Sequence, residues 1–282
     1  MKKILLTGAN GMLAYDFIRT QKDSFHIFAL GKTELDITEI EAVERKVQEL
    51  RPDIILNCSA YTNVEEAEDI GKKKNFDINT LGVFNLAKIA NETGIDFITM
   101  STDYVFDGTK IGWYFTSEEP NPINAYGMAK YLGEKLAKTE NPNTIIIRTS
   151  WLYGGNESHK NFVNTMLRLS ETRDEIRVIN DQFGSPTHTW DLAKALGEMI
   201  KKITEHRGQV LHLSNETVPG GITWFDFAEE IFNMSGRHTV VTPCTSSEYK
   251  TKAQRPKFSK MNNNSSIKIR NWREGLEEYL GK

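Results

Sequence analysis

The sequence predicts an α/β protein, a doubly wound parallel sheet with helices on both faces, followed by a smaller C-terminal lobe. Short apolar runs alternate with longer amphipathic stretches over the first half of the chain, which is the pattern of βαβ units. After about Tyr153 this alternation loosens. It is interrupted there by Pro186, Pro219, Gly220, Gly221, Pro243 and Pro256.

The predicted strands are runs of four or five residues rich in Ile, Leu, Val or Phe: 4–7, 26–30, 53–57, 97–101, 144–148 and 176–179. The amphipathic stretches predict helices at 12–21, 40–50, 76–92, 125–138, 162–170, 190–203 and 224–232. Strands covered on both faces are continuously apolar, as these runs are. We expect a dinucleotide-type domain at 1–152 and a C-terminal lobe at 153–282, part of which returns to the sheet.

Composition and charge argue against several classes of partner. The formal net charge is −3, so neither a nucleic-acid nor a membrane partner is indicated. Neither Cys58 nor Cys244 belongs to a CxxC pair, and we expect no metal site. The apolar run after Lys3 stops at Gly8, too early for a signal peptide, and no run approaches the ~18 residues of a membrane span. We expect a cytoplasmic protein.

A glycine-rich turn, Thr7-Gly8-Ala9-Asn10-Gly11-Met12-Leu13-Ala14, follows the first predicted strand and opens a helix. A Rossmann-like fold places its phosphate-binding turn here. Gly8 would make the tight turn, and Gly11 would let backbone N–H groups approach a pyrophosphate at the helix N-terminus. Two glycines at a strand end also mark ordinary turns. Their place after the first strand of an alternating chain favours the dinucleotide site.

The end of the second predicted strand bears on which dinucleotide binds. NAD-specific proteins often carry an acid here to hold the ribose 2′-OH, but this strand ends in Leu30-Gly31-Lys32. Lys32 is either a partner for a 2′-phosphate or a solvated lysine. We favour NADP (NADPH) as the cofactor, with NAD (NADH) as the alternative.

Two Tyr–Lys pairs lie on the helix predicted at 125–138: Tyr126 with Lys130, and Tyr131 with Lys135. Residues four apart are neighbours on a helix, and a nearby ammonium lowers the pKa of a tyrosine. Such a tyrosine suits proton donation to a carbonyl that is being reduced. The pairs lie five residues apart and so on different faces. We predict Tyr126 as the donor, because it begins the helix where a loop opens toward the strand ends.

The fourth predicted strand is followed by Ser101-Thr102-Asp103-Tyr104-Val105-Phe106-Asp107-Gly108. Ligands in open α/β sheets bind outside the carboxyl ends of the strands. Thr102 therefore places a hydroxyl at the edge where a carbonyl would be polarised. A hydroxyl bonded to the local backbone is the alternative.

These motifs together resemble the extended short-chain dehydrogenases that act on nucleotide sugars, and within them the chain is most similar to the dTDP-4-dehydrorhamnose reductase family. The resemblance covers nearly the whole length. It also rests on Leu35-Asp36-Ile37-Thr38, Asn57-Cys58-Ser59-Ala60-Tyr61-Thr62, Arg148-Thr149-Ser150-Trp151-Leu152-Tyr153-Gly154, Asp181-Gln182-Phe183-Gly184-Ser185-Pro186-Thr187 and Arg255-Pro256.

The resemblance implies hydride transfer to C4 of a 4-keto nucleotide sugar, with Tyr126 donating the proton, Thr102 orienting the carbonyl and Lys130 holding the nicotinamide ribose. The C-terminal lobe then binds the substrate. The implied substrate contacts are Thr102, Asp103, Tyr104, Tyr126, Trp151 and, for a pyrophosphate, Arg255. The implied cofactor contacts are Gly8, Asn10, Gly11, Met12, Leu13, Gly31, Lys32, Asp36, Ile37, Ser59, Ala60, Tyr61, Thr62, Tyr126 and Lys130.

Several alternatives stay open at this point. An epimerase or dehydratase of the same superfamily also fits, since Asp103 supplies the acid that dehydratases need after the Ser/Thr. A regulatory subunit like that of methionine adenosyltransferase is a non-catalytic alternative, against which an intact Thr102, Tyr126 and Lys130 argue. Glutamates that bind Mg²⁺ at a dimer contact in some members cannot be matched here. We expect a monomer or a homodimer.

Overall fold

A central parallel sheet organises the computed structural model, which describes residues 1–263 and 265–281. In this part of the chain its strands are β1 (Lys3–Thr7), β2 (His26–Leu30), β3 (Ile54–Asn57), β4 (Asp96–Thr102), β5 (Ile145–Thr149) and β10 (Val210–His212). Their order is β2-β1-β3-β4-β5-β10. The chain leaves β1 in one direction to β2 and crosses back to β3, so β1 and β3 flank the crevice where such folds bind ligands.

Helices cover both faces of this sheet, as the continuously apolar strands predict. Ile4 and Leu6 of β1 pack in one core with α1 (Met12–Gln21) and α7 (Thr189–Lys201). Leu5 points into a second core with α2 (Ile40–Leu50), α4 (Val83–Thr93) and α5 (Ala125–Glu140). The predicted doubly wound α/β fold is therefore confirmed.

The helix predicted at 76–92 is interrupted. It forms as α3 (Lys72–Phe76), a π-helical segment (Asp77–Gly82) and α4. Within the π-helical segment, Asn79 accepts a hydrogen bond from the backbone N–H of Tyr61 (3.1 Å) and donates one to the Tyr61 carbonyl (2.8 Å). Side-chain bonds to the loop after β3 thus override the regular helical pattern, and that loop is held beside the sheet.

A third core lies in the C-terminal part of the chain. Tyr153, Phe227 and Trp272 pack there with α6 (Phe162–Ser170), α8 (Trp224–Ser235) and α9 (Trp272–Tyr279). The run predicted at 176–179 does form a strand, β7 (Glu175–Ile179), but it pairs with β12 (Val240–Cys244) outside the central sheet. Two further two-stranded pairs join β6 (Leu152–Tyr153) with β9 (Thr187–His188) and β8 (Phe183–Gly184) with β11 (Ile222–Thr223).

The two halves of the chain are interwoven. Helix α7 and strand β10 come from beyond residue 152, yet α7 packs on the sheet and β10 pairs with β5. A division into domains at residue 152 stays a prediction. No helix within the described residues combines the length and apolar character that crossing a bilayer requires.

Candidate active site

In the glycine-rich turn after β1, the backbone at Gly8 packs directly against a neighbouring segment of backbone. Gly8 has φ +71°, and a Cβ there would lie 2.7 Å from the backbone of Cys58 and Ser59, so only glycine fits. The N–H of Gly11 donates to the Gly8 carbonyl at 2.9 Å. Gly11 begins α1 without a side chain to cap it, which leaves first-turn N–H groups for an anionic ligand. This backbone fits the pyrophosphate of a dinucleotide.

A cleft of about 430 Å³ opens over this turn at the carboxyl edge of the sheet. It collects nearly all of the predicted cofactor residues. Those lining it are Gly8, Asn10, Gly11, Met12, Leu13, Gly31, Lys32, Asp36, Ile37, Ser59, Ala60, Thr62, Tyr126 and Lys130. The exception is Tyr61, whose hydroxyl turns away and donates to Glu66 at 2.7 Å.

The end of β2 carries more negative charge than the sequence suggested. The chain turns after Gly31, and the carboxylate of Glu34 accepts from the Gly31 N–H at 2.7 Å, although Glu34 does not line the cleft. Nearby, the Lys32 ammonium lies 3.6 Å from Asp36. Burial raises the pKa of Asp36, but hydrogen bonds from Thr38 and the charge of Lys32 outweigh it and lower that pKa overall.

Tyr126 lies in the first turn of α5, which places its side chain in the site. Asn124 caps the helix by accepting from the Gly127 N–H at 2.7 Å. A Cβ at Gly127 would overlap the carbonyl oxygen of Tyr104, so glycine lets the helix begin directly against the segment after β4. As a result the Tyr126 ring lies 5.9 Å from that of Tyr104, nearly perpendicular to it.

Thr102 and Asp103 adjoin the Tyr126 phenol. The Thr102 hydroxyl donates to Asp103 at 3.0 Å and accepts from the Tyr104 N–H at 3.2 Å. Burial raises the pKa of Asp103 to about 6, although hydrogen bonds from Ser259 and Thr102 oppose it. The second carboxylate oxygen of Asp103 is buried and has no hydrogen-bond partner among the described residues. A buried acid thus stands beside the two predicted reacting groups.

The pKa of the Tyr126 phenol is shifted in the opposite direction from the one that the sequence predicted. Its pKa is raised, first by burial and then by the charge of Asp103, while a hydrogen bond with Thr102 acts in the opposite direction. The expected lowering by Lys130 is wrong for this structure, because the Lys130 ammonium is turned to the end of β4 and donates to the Met100 carbonyl at 2.6 Å. The phenol therefore stays protonated at neutral pH, as a proton donor must be.

The pKa of Lys130 is also shifted, in the direction that favours the neutral amine. Burial lowers its pKa to about 8, against the opposing charges of Glu134 and Cys58. The second pair is placed quite differently. The Tyr131 hydroxyl donates to Glu119 at 2.5 Å, the Lys135 ammonium lies 3.3 Å from the same carboxylate, and neither residue lines the cleft.

Two predicted substrate residues lie on the C-terminal side of the site. Trp151 has φ +46°, a strained conformation for a tryptophan, and its ring stacks on Trp224 with centroids 3.6 Å apart. One face of the Trp151 ring is thus already occupied. Arg255 forms a 2.7 Å ion pair with Glu65 and also lies near Tyr104, whose pKa burial and Asp103 raise to about 12 against the charge of Arg255.

Several residues of this region were not predicted. Lys160 and His159 line the cofactor cleft, and the His159 ring lies 3.1 Å from the Asn10 carbonyl. Trp224 comes from a distant helix, and no sequence signal connects it with Trp151. Ser259 follows the Arg255-Pro256 motif closely, which was the one available hint. Glu65 lies in the loop after β3, whose motif ended at Thr62.

His188, Asp191 and Glu278 form the group of possible metal ligands found among the described residues, with ligand atoms within 4.8 Å of one another. Arg270 already pairs with both acids, at 2.9 Å from Asp191 and in close contact with Glu278. The guanidinium therefore supplies the positive charge at this cluster, and none of the three residues lines the cleft that contains Tyr126.

Comparisons with known proteins identify the family of this chain. The family model described as the RmlD substrate binding domain matches residues 1–282. The spore coat polysaccharide biosynthesis protein SpsK of Bacillus subtilis is 37% identical over 99% of this chain and 97% of its own. A dTDP-4-dehydrorhamnose reductase of Aggregatibacter actinomycetemcomitans is 36% identical over 91% of this chain and 89% of its own.

Solved structures of dTDP-4-dehydrorhamnose reductases also resemble this chain. A dTDP-4-dehydrorhamnose reductase from Clostridium acetobutylicum superposes with a TM-score of 0.93 at 38% identity, over 99% of this chain and 98% of that one. A dTDP-4-dehydrorhamnose reductase from Bacillus anthracis, in complex with NADP, superposes with a TM-score of 0.91 at 38% identity and the same coverage. A UDP-glucose 4-epimerase of Thermus thermophilus at 15% identity shares the fold.

Proposed function

The chain belongs to the family described as the RmlD substrate binding domain, and we propose that it reduces the C4 keto group of dTDP-4-dehydro-L-rhamnose to give dTDP-L-rhamnose. This is a step of dTDP-rhamnose biosynthesis. The family membership confirms the resemblance seen in the motifs. One observation carries the proposal: Tyr126 and Lys130 line the same cleft as the glycine-rich turn, so a proton donor stands where a bound dinucleotide would present its nicotinamide.

The roles of the side chains follow from their places around that cleft. When bound in this cleft, NAD(P)H would supply the hydride. Tyr126 donates a proton to the C4 oxygen, and its raised pKa keeps that proton in place until the carbonyl accepts it. Thr102 orients the carbonyl oxygen next to the phenol. Lys130 holds the nicotinamide ribose, and the backbone at Gly8 and Gly11 holds the pyrophosphate.

Substrate recognition falls to the segment after β4 and the C-terminal lobe. Asp103 and Tyr104 adjoin Tyr126 and would contact the sugar. Trp151, held in a strained conformation against Trp224, would present its remaining ring surface to the substrate. Arg255 brings a cation near Tyr104, where it would bind the pyrophosphate of the nucleotide.

NADPH is the favoured cofactor. A relative at 38% identity was crystallised in complex with NADP, and Lys32 at the end of β2 lines the cleft, in position for a 2′-phosphate. Glu34 and Asp36 nearby suit a free ribose hydroxyl, so NADH is the alternative. Comparing kcat/KM for the two cofactors tests this choice, and a value with NADH far above that with NADPH would reverse it.

The reaction is tested by following NADPH oxidation against a panel of 4-keto nucleotide sugars. We expect one NADPH consumed per dTDP-L-rhamnose formed. An epimerase or dehydratase regenerates its NAD and would consume none, and a regulatory subunit would turn over nothing. Either result contradicts the proposal.

Two further features accompany this function. We place the reaction in the cytoplasm, where an NADPH-dependent biosynthetic step has its cofactor, and cell fractionation tests that location. We expect a monomer or a homodimer, and light scattering of the purified protein separates them.

A further inference from the structure

Glu134 and Arg148 form a buried ion pair just behind the predicted catalytic helix face. Arg148 Nε donates to one Glu134 oxygen at 3.0 Å and Arg148 Nη2 to the other at 2.7 Å. Their side chains are only 5% and 4% exposed. A buried ion pair gives little net stability compared with apolar residues of the same size, so stability alone does not account for it.

The pair joins the two elements that set the site. Glu134 lies on α5, one helical turn beyond Lys130 and on the same side. Arg148 lies on β5, in register with Ser101 of β4, next to the carbonyl of Met100 that accepts the hydrogen bond of Lys130. A bidentate arginine–carboxylate bond fixes orientation as well as distance. It therefore sets how α5 presents Lys130 to the end of β4.

Lys130 also needs a counter-charge. Its ammonium is buried and bonds to an uncharged carbonyl. The titratable groups that act on it are Glu134 on α5 and Cys58 after β3. Tyr126 lines the same cleft, and Arg148 on β5 is bonded to Glu134. Of these, Glu134 is the carboxylate, and its charge opposes the loss of the Lys130 proton caused by burial.

We propose that Glu134, held by Arg148, is a positioning residue for the reaction: it orients Lys130 toward the bound cofactor and supplies the negative charge that keeps the buried ammonium protonated. The expected effect of Glu134 on turnover rests on the proposed function. Its expected effect on cofactor binding does not depend on which sugar is reduced. Arg148 acts through Glu134 and does not line the cofactor cleft.

The test is the pH dependence of NADPH binding, measured by fluorescence titration, alongside kcat. In the unchanged protein, affinity should fall as the pH rises through the pKa of Lys130. Glu134→Gln keeps the size and a hydrogen-bond acceptor but removes the charge, so the midpoint should move to lower pH by about one pH unit. Glu134→Asp restores the charge and should return the midpoint toward its original value.

Glu119→Gln is the control, because it removes the carboxylate that pairs with Lys135 at 3.3 Å on the exposed face of the same helix. It should leave the midpoint unchanged. An unmoved midpoint in a folded Glu134→Gln protein, with only a lower melting temperature, would show that the pair is merely structural and would overturn the proposal.

Should Glu134→Gln fail to fold, Arg148→Lys provides a second test. It keeps a cation beside Glu134 but loses the bidentate bond that fixes the carboxylate, so NADPH affinity should fall, and an unchanged affinity would contradict the proposal. If no 4-keto nucleotide sugar is reduced by the unchanged protein, the proposed function fails, while the NADPH titration still decides the role of Glu134.

Discussion

Helix α5 carries two tyrosine–lysine pairs with the same spacing in very different surroundings. Tyr126 and Lys130 face the cleft, where burial raises the pKa of the phenol and lowers that of the ammonium to about 8. Tyr131 and Lys135 share a carboxylate of Glu119 at the surface, where the Lys135 side chain is 57% exposed. The spacing is identical, so the chemistry must come from what surrounds each pair.

The difference has a simple structural origin. Five residues advance a helix by more than one turn, so the two pairs cannot face the same way. The Asn124 cap and the close contact at Gly127 hold the first turn of α5 against the segment after β4. The tyrosine of the first turn therefore meets Thr102, and the tyrosine of the second turn meets Glu119 instead.

Replacing each tyrosine with phenylalanine should give the largest contrast. Tyr126→Phe removes only the phenol oxygen and should lower kcat by about a hundredfold or more, while NADPH affinity changes little. Tyr131→Phe should leave kcat unchanged. Steady-state NADPH oxidation measures both, and equal effects of the two substitutions would mean that the first pair has no special role.

Replacing each lysine with methionine should give the next largest contrast. Lys130→Met removes a buried charge from the cofactor cleft and should weaken NADPH binding and lower kcat, each by about tenfold or more. Lys135→Met removes an exposed charge and should change neither. Loss of NADPH affinity in Lys135→Met alone would reverse the assignment of the two pairs.

Thr102 distinguishes the first pair from the second, so its hydroxyl is the next group to remove. Thr102→Val keeps the shape and deletes one hydrogen bond to the reacting oxygen, which should lower kcat by about tenfold. Because the hydrogen bond between Thr102 and Tyr126 opposes the rise of the Tyr126 pKa, the substitution should also raise that pKa further. Calorimetry should show that the variant unfolds as cooperatively as the unchanged protein. Full activity of the variant would show that Thr102 has no role in the mechanism.

The pH dependence of the unchanged protein should show the smallest effect. Lys130 has a pKa of about 8, and activity that requires its ammonium is present below that pH and lost as the pH rises through it. The Tyr126 phenol, with its raised pKa, loses no proton in this range. We therefore expect kcat/KM to fall above about pH 8 in a single step, and a rate that rises with pH there would indicate a phenolate base instead.

The fold was largely accessible from the sequence, since hydrophobic periodicity records which faces are buried. The predicted helices at 12–21 and 40–50 have the bounds of α1 and α2. Strand β10 was missed, because it has only three residues and includes His212. Helix α9 was missed because its eight residues carry few apolar positions. Both are fixed by tertiary contacts that a local pattern does not record.

The candidate site was accessible in part for the same reason. Motifs next to strand ends are local, and the structure brings Thr102, Tyr126 and the glycine-rich turn to one edge of the sheet. Glu34, Trp224 and Ser259 reach the site through a turn or from distant elements, so spacing did not reveal them. The pKa of Tyr126 was misjudged because it depends on where the Lys130 ammonium points, which spacing leaves undetermined.

Deuterium transfer from NADPH to the sugar is the most direct test of the proposed reduction and of the role of Tyr126. The protein is given dTDP-4-dehydro-L-rhamnose and NADPH that carries deuterium at the transferable position, and the product is analysed by NMR. We expect deuterium at C4 of dTDP-L-rhamnose, one per NADPH oxidised, with product formed by Tyr131→Phe at the normal rate and by Tyr126→Phe far more slowly. A product without deuterium at C4, or one that Tyr126→Phe forms as fast as Tyr131→Phe, would contradict this expectation.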